Sequence, residues 1–246
     1  MAYSLKKLGF TDVTILERTN RIGGKAEHFQ YRGTKHPLSV VFWTNDYRNT
    51  LVPLLEEFGL LKDGSKGGDG RTSFWLTNDR SVPLLETAEY IALWIMKNLN
   101  VSDPNQAILR MIRDADKYTN IHKTLFGDYQ FGLMRRPNPA TWQYLSGTIF
   151  QFLQRNNLLS LVPLFQGIFH TTGYGTIYQL PAMYGLIWGT PRLLVDFLLG
   201  TEIKNLKKGT IDELFPKMVE KENIPVKFYF DVKVITNVTL LDYFND

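Results

Sequence analysis

Cysteine is absent from the 246 residues. That excludes a disulfide scaffold, thiol catalysis and thiolate zinc sites. Histidine is scarce, and His28, His36, His122 and His170 show no i, i+4 spacing of the kind that holds zinc on a helix. No metal site is expected. No G-x-S-x-G nucleophile pattern occurs, and no internal repeat or low-complexity tract. Nor is there an uninterrupted apolar run of the roughly 20 residues that a membrane helix needs. Leu180–Leu199 comes nearest, but Pro181, Pro191, Arg192 and Asp196 interrupt it. It reads as a buried cap or tunnel wall, with shallow membrane contact as the alternative. Lys6 and Lys7 break up the N-terminal apolar residues, so no signal-peptide layout is visible; the compartment stays open, with the cytoplasm favoured.

What is present suits a folded chain. Hydrophobic residues make up 44%, enough for one substantial core or a core plus a smaller subdomain. The net charge of +4 is spread thinly, and the densest basic cluster is only Lys204, Lys207 and Lys208. A nucleic-acid binder concentrates base into a stripe, so this charge reads as a solvated surface and no nucleic-acid partner is expected.

Along the chain, Ala2, Leu5 and Leu8 share a helical face that Gly9 terminates. Val13–Leu16 is β-branched and apolar, as in a buried parallel strand. Ala26–Tyr31 reads as a strand entering a turn at Arg32-Gly33. Asn45–Phe58 carries a helical stripe of Leu51, Leu54, Leu55 and Phe58, closed by Gly59. Lys62–Arg71 reads as a surface loop, and residues 73–77 and 80–84 as a hairpin turning at Asn78-Asp79. Helices are predicted over Glu86–Leu99, from Asp103-Pro104 to about Tyr118, and over Thr141–Gln154, Leu158–Phe169, 190–199 and 211–222. A capping box at Thr210 and Glu213 would begin the last. Val226–Val234 closes the pattern as a strand pair or one long strand. His170–Gly175 reads as a glycine-rich turn, with a pocket-lining loop as the alternative. The expected fold class is α/β, a partial Rossmann-like domain with a largely helical insertion or substrate subdomain. The divisions fall at 1–85, 86–205 and 206–246.

The chemistry concentrates in Val13-Thr-Ile-Leu-Glu17-Arg18-Thr-Asn-Arg21-Ile-Gly23-Gly24-Lys25. Glu17 stands at the carboxyl end of the strand, where a dinucleotide fold uses a carboxylate to accept hydrogen bonds from ribose hydroxyls. Gly23 and Gly24 allow close backbone approach to a ligand. Arg21 and Lys25 are placed to balance pyrophosphate charge.

This string resembles the ExxxRxGG(R/K) segment of the flavin-containing amine oxidase and phytoene desaturase superfamily. "AYSLKKLGFTDVTILE" resembles the helix and second strand of that superfamily's nucleotide unit. "YRNTLVPLLEEFGL" resembles a later helix, although His36–Trp43 departs from the pattern before it. "DELFPKMVEKENIPVKFYFDVKVI" resembles the helix and strands that return to the FAD domain. The resemblance implies an FAD-dependent oxidoreductase. FAD would be bound through Glu17, Arg18, Arg21, Gly23, Gly24 and Lys25, with the Val232 backbone against the adenine. The flavin of such an enzyme accepts a hydride from a C–N or C–C bond of a small hydrophobic or amine substrate. No catalytic residue is identifiable. The superfamily's GxGxxG loop is expected upstream of Met1, so the alternative is a catalytically silent remnant or interaction module. On that expectation the 246-residue chain retains little flavin. Visible absorbance of the purified protein checks this, and stoichiometric yellow protein would overturn it.

Overall fold

The computed structural model describes residues 1–40, 42–67, 73–74, 85–128, 134–199 and 204–230. In chain order the elements are α1 (Ala2–Lys7), β1 (Ile15–Leu16), β2 (His28–Tyr31), β3 (Thr34–Pro37), α2 (Leu51–Glu57), β4 (Ser65–Gly67), β5 (Ser73–Phe74) and β6 (Leu85–Glu86). There follow α3 (Thr87–Leu99), α4 (Pro104–Phe126), α5 (Ile149–Arg155), α6 (Val162–Thr171), α7 (Ala182–Trp188), α8 (Pro191–Leu199), β7 (Lys204–Leu206), α9 (Leu214–Lys221) and β8 (Val226–Lys227). The fold is α/β and mostly helical.

Two compact units emerge. One comprises Met1–Val41, Leu54–Asp63 and Lys208–Asp246, and the other Phe42–Pro53 and Gly64–Lys207. Both are discontinuous in sequence, whereas the sequence pattern alone suggests breaks after 85 and 205.

In the first unit β1 pairs in parallel with β8, Ile15 opposite Val226 and Leu16 opposite Lys227. The strand is parallel as its composition predicts, but it is shorter and less buried. Ile15 is half-buried and Leu16 is 46% exposed. Among the described residues β1 has β8 as its only partner, so its outward side chain has no sheet neighbour to cover it. The helix before it ends at Gly9, which takes φ +91°. There Gly9 N donates to Lys6 O and Phe10 N to Leu5 O, satisfying two terminal carbonyls. The predicted strand and turn are present, with Arg32 and Gly33 both at positive φ, and a second strand that was not predicted, β3, returns from the turn to make a hairpin.

The unit's buried apolar residues include Ala26, Leu55, Leu60, Ile211, Leu214 and Ile224. The capping box at Thr210 and Glu213 is present, but it opens a 3₁₀ turn over Ile211–Glu213 that runs into α9. Helix α2 begins only at Leu51. Pro53 is tolerated in a first turn, but its ring excludes the carbonyl that a longer helix would place four residues back. Asn45–Tyr47 is therefore a separate 3₁₀ turn.

The second unit carries the larger core. Helix α4 continues past the predicted Tyr118 to Phe126, because no breaker occurs before Gly127 and the apolar spacing persists. Asp103 caps it as expected, accepting from Gln106 N at 2.8 Å. Ile91, Ile95, Met111, Tyr118 and Phe126 pack with Phe152, Phe165, Phe169 and Leu186. The predicted helix over Thr141–Gln154 divides, since Gly147 at φ +81° ends a 3₁₀ segment and Thr148 caps α5 with Gln151. Part of the predicted 62–71 loop is strand instead, because β4 pairs antiparallel with β7. Ser73-Phe74 pairs with Leu85-Glu86, and the predicted turn at Asn78-Asp79 lies outside the described residues. Among the described residues, no helix is long and apolar enough to cross a membrane.

Glu57 gathers the first unit's helices. Its Oε1 accepts from Tyr3 Oη at 2.6 Å and from Lys221 Nζ at 2.6 Å, and Lys7 Nζ stands 3.5 Å away. Phe58 receives the edge of Tyr3 and lies under Lys221. The Lys221 hydrogen bond, followed by that from Tyr3, holds the Glu57 carboxyl at about 2 instead of the ordinary 4.5. A depressed carboxyl stabilises the fold fully above its unfolded value, and the contribution is lost as pH falls through the folded value. Glu57→Gln is therefore expected to lower the melting temperature at neutral pH. The difference from the parent should shrink between pH 4.5 and about 2, which melting curves across that window check.

Candidate dinucleotide-binding site

The site begins with a backbone constraint. Ile15 N donates to Pro225 O at 2.8 Å and Glu17 N to Lys227 O at 2.9 Å. Beyond β8, Tyr229 takes φ +58°, uncommon for an aromatic residue, and Phe230 N then donates to Glu17 O at 3.0 Å. The peptide groups on both sides of Glu17 are thus held by a segment from the other end of the chain.

The Glu17 side chain is partly exposed. Its Oε1 accepts from Thr19 N at 2.8 Å and from Thr19 Oγ1 at 2.7 Å. The Thr19 backbone and hydroxyl bonds, in that order, hold the carboxyl below its usual range, so it is charged at neutral pH. Both bonds fall on one oxygen. Oε2 keeps acceptor capacity.

The following turn is closed from within. Arg21 Nη1 donates to Ala26 O at 2.9 Å and Nη2 to Gly24 O at 2.7 Å, while Nη2 lies 3.0 Å from Glu27 Oε2. Ala26 N donates to Gly23 O at 2.9 Å. The guanidinium expected to face pyrophosphate is therefore occupied in bracing the turn. Arg18 and Lys25 are exposed, with no ion-pair partner among the described residues. The Lys25 carbonyl accepts from Ser39 Oγ at 2.5 Å. Glu17, Arg21, Gly23 and Gly24 thus belong to one short network through Thr19. Val232 lies outside the described residues.

The two glycines do different work. Gly23 has φ +128°, and a Cβ there would stand 2.9 Å from Ala26 O and 3.7 Å from a ring carbon of Phe215. Gly24 has φ +57°, and a Cβ there would meet nothing within 4 Å. Gly23 is a packing requirement, while Gly24 leaves open backbone at the surface.

Several residues here carried no signal of their own in the sequence. Thr19, Ser39 and Phe215 are ordinary residue types at uninformative spacing. His28 Nδ1 lies 2.6 Å from Asp212 Oδ2, with Thr210 Oγ1 3.4 Å from the same nitrogen. Burial pushes Asp212 up, but hydrogen bonds from Thr210 and His28 overcome it and leave the carboxyl low. Since residues 28 and 212 are remote in sequence, no local pattern could reveal the pair. In the second unit, the loop after α6 has Gly173 and Gly175 at positive φ. Its Tyr174 packs against Phe169, Tyr184 and Trp188. Among the described residues no group of three or more histidines and carboxylates could hold a metal.

Comparison with known proteins agrees with this geometry. Residues 1–58 match the family model described as an NAD(P)-binding Rossmann-like domain. Among solved structures, a CLA-producing fatty acid isomerase from P. acnes superposes with a TM-score of 0.64 at 18% identity. That match covers 92% of this chain and 47% of the isomerase. Wild-type putrescine oxidase bound to putrescine superposes with a TM-score of 0.61 at 15% identity, covering 93% and 47%. The chain thus shares a fold with these proteins and spans about half their length. No curated protein sequence matches it.

Alanine substitutions separate the glycine roles. Gly24→Ala is expected to cost only the left-handed backbone penalty, about 1–2 kcal/mol. Gly23→Ala adds a clash with a backbone oxygen and should cost about 1–3 kcal/mol more. Denaturant titration of both variants measures the difference, and equal losses would contradict the assignment.

Proposed function

We propose that residues 17–25 hold the adenosine end of FAD, and that the chain is part of an FAD-dependent oxidoreductase of the amine oxidase and desaturase type. The observation that carries this reading is the charged, pre-oriented Glu17 carboxylate at the end of a parallel strand, immediately before an open glycine turn. Oε2 of Glu17 suits a ribose diol, and the bare backbone at Gly24 admits close approach. Lys25 and Arg18 would supply positive charge, with Val232 at the adenine. Arg21 would act by holding the turn in shape. The residues present fit the nucleotide portion of the cofactor, and the flavin, when bound, supplies hydride acceptance from the substrate.

The largely helical second unit would then contribute to the substrate side. The proposed substrate is a small molecule, hydrophobic or amine in character. The fold shared with a fatty acid isomerase and with putrescine oxidase supports both alternatives.

Titration of FAD into the protein, with and without the Glu17→Ala change, tests the ribose role. Loss of a charged acceptor should weaken binding roughly tenfold or more. Glu17→Gln, which keeps an acceptor oxygen but no charge, should fall between. Equal affinity in all three would remove Glu17 from the site.

A further inference from the structure

We infer that a cleft beside the first half of α4 binds an organic carboxylate carried on an apolar body. The cleft has a volume of about 470 Å³ and is lined by Val101, Gln106, Leu109, Arg110, Arg113 and Asp114. It lies wholly within the second unit and is independent of the nucleotide reading.

Arg110 and Arg113 stand one turn apart on the same side of the helix. Like charges at that spacing weaken a helix unless something neutralises them. Neither has an ion-pair partner among the described residues. The nearest carboxylate in sequence, Asp114, is buried, and its Oδ2 accepts from Ser160 Oγ at 2.6 Å. Asp114 lines the cleft but forms no ion pair with either arginine among the described residues, so both guanidinium forks remain available.

The cleft selects among anions by charge and by shape. Two guanidinium groups and one carboxylate leave a formal excess of one positive charge. A monoanionic carboxylate neutralises it, and its planar geometry matches a guanidinium fork. A phosphate dianion would overshoot. The backbone N–H of Gln106 is committed to the Asp103 cap, so only its side-chain amide can add a donor. Val101 and Leu109 give the cleft its apolar surface. Leu109 is 61% exposed on a helix whose Ala107 and Met111 are buried. An apolar body attached to the carboxylate would cover it.

Calorimetric titration of the whole chain with octanoate tests this. Saturable binding of one octanoate per chain is expected. In the R110Q/R113Q double variant it should weaken at least about tenfold. Octan-1-ol, with the same body and no charge, should bind the parent at least about tenfold more weakly. In the parent protein's amide NMR spectrum, octanoate should shift the Gln106 side-chain resonances among the first to move. This readout needs no variant and survives a failure of the double variant to fold. The inference is overturned by absent saturation, by unchanged octanoate affinity in a folded double variant, by equal binding of octanol, by displacement of octanoate by equimolar inorganic phosphate, or by shifts that leave Gln106 unmoved.

Discussion

Everything at the candidate nucleotide site rests on the parallel seam between the segments around Ile15 and Val226. A ladder of two residues per strand is too short to persist alone. Closing a loop that takes in most of the chain also carries an entropic cost. The seam therefore needs the packing around it. α9 leads directly into β8 and buries Leu214, and Ile224 is buried just before the strand. The Glu57 cluster draws Tyr3 of α1 and Lys221 of α9 to one carboxylate. With those elements gathered, the hydrogen bonds at Ile15 and on both sides of Glu17 orient the carboxylate before any ligand arrives.

The turn that follows is built differently. Most of its hydrogen bonds run between near neighbours in sequence, from Thr19 to Glu17 and from Arg21 to Gly24 and Ala26, and Ser39 adds one to the Lys25 carbonyl from further along the chain. Such a motif forms largely from local geometry and is then presented by the seam. The division explains how one segment can be rigid and still leave an open surface. Arg21 and Gly23 shape the turn, while the Lys25 side chain and Oε2 of Glu17 have no partner among the described residues and Gly24 leaves open backbone.

Features governed by neighbours in sequence were legible from the residues. The stops at Gly9 and Gly59, the turn at Arg32-Gly33, the Asp103-Pro104 start of α4 and the Thr210–Glu213 capping box all occur where residue type demanded them. Departures have equally specific causes. Pro53 delays α2, Gly147 divides the helix predicted over 141–154, and β4 exists only because β7 lies beside it. The 65–67 segment has no strand-like composition, so pairing there follows from the position of a distant backbone. Leu16 was expected to be buried because it is apolar, yet burial depends on neighbours that composition cannot supply.

By itself, the sequence determined the local conformations and placed a carboxylate, three basic residues and a glycine pair within a nine-residue span. Backbone dihedral preference, capping and short-range hydrogen bonding act over a few residues, so residue identity suffices to specify them. Only the tertiary structure decided that Glu17 is clasped by Lys227 and Phe230, that Arg21 braces the turn from inside, that His28 meets Asp212, and that Arg110 and Arg113 line one cleft. Those outcomes depend on which distant groups compete for each donor, acceptor and charge, and that competition is settled when the chain packs.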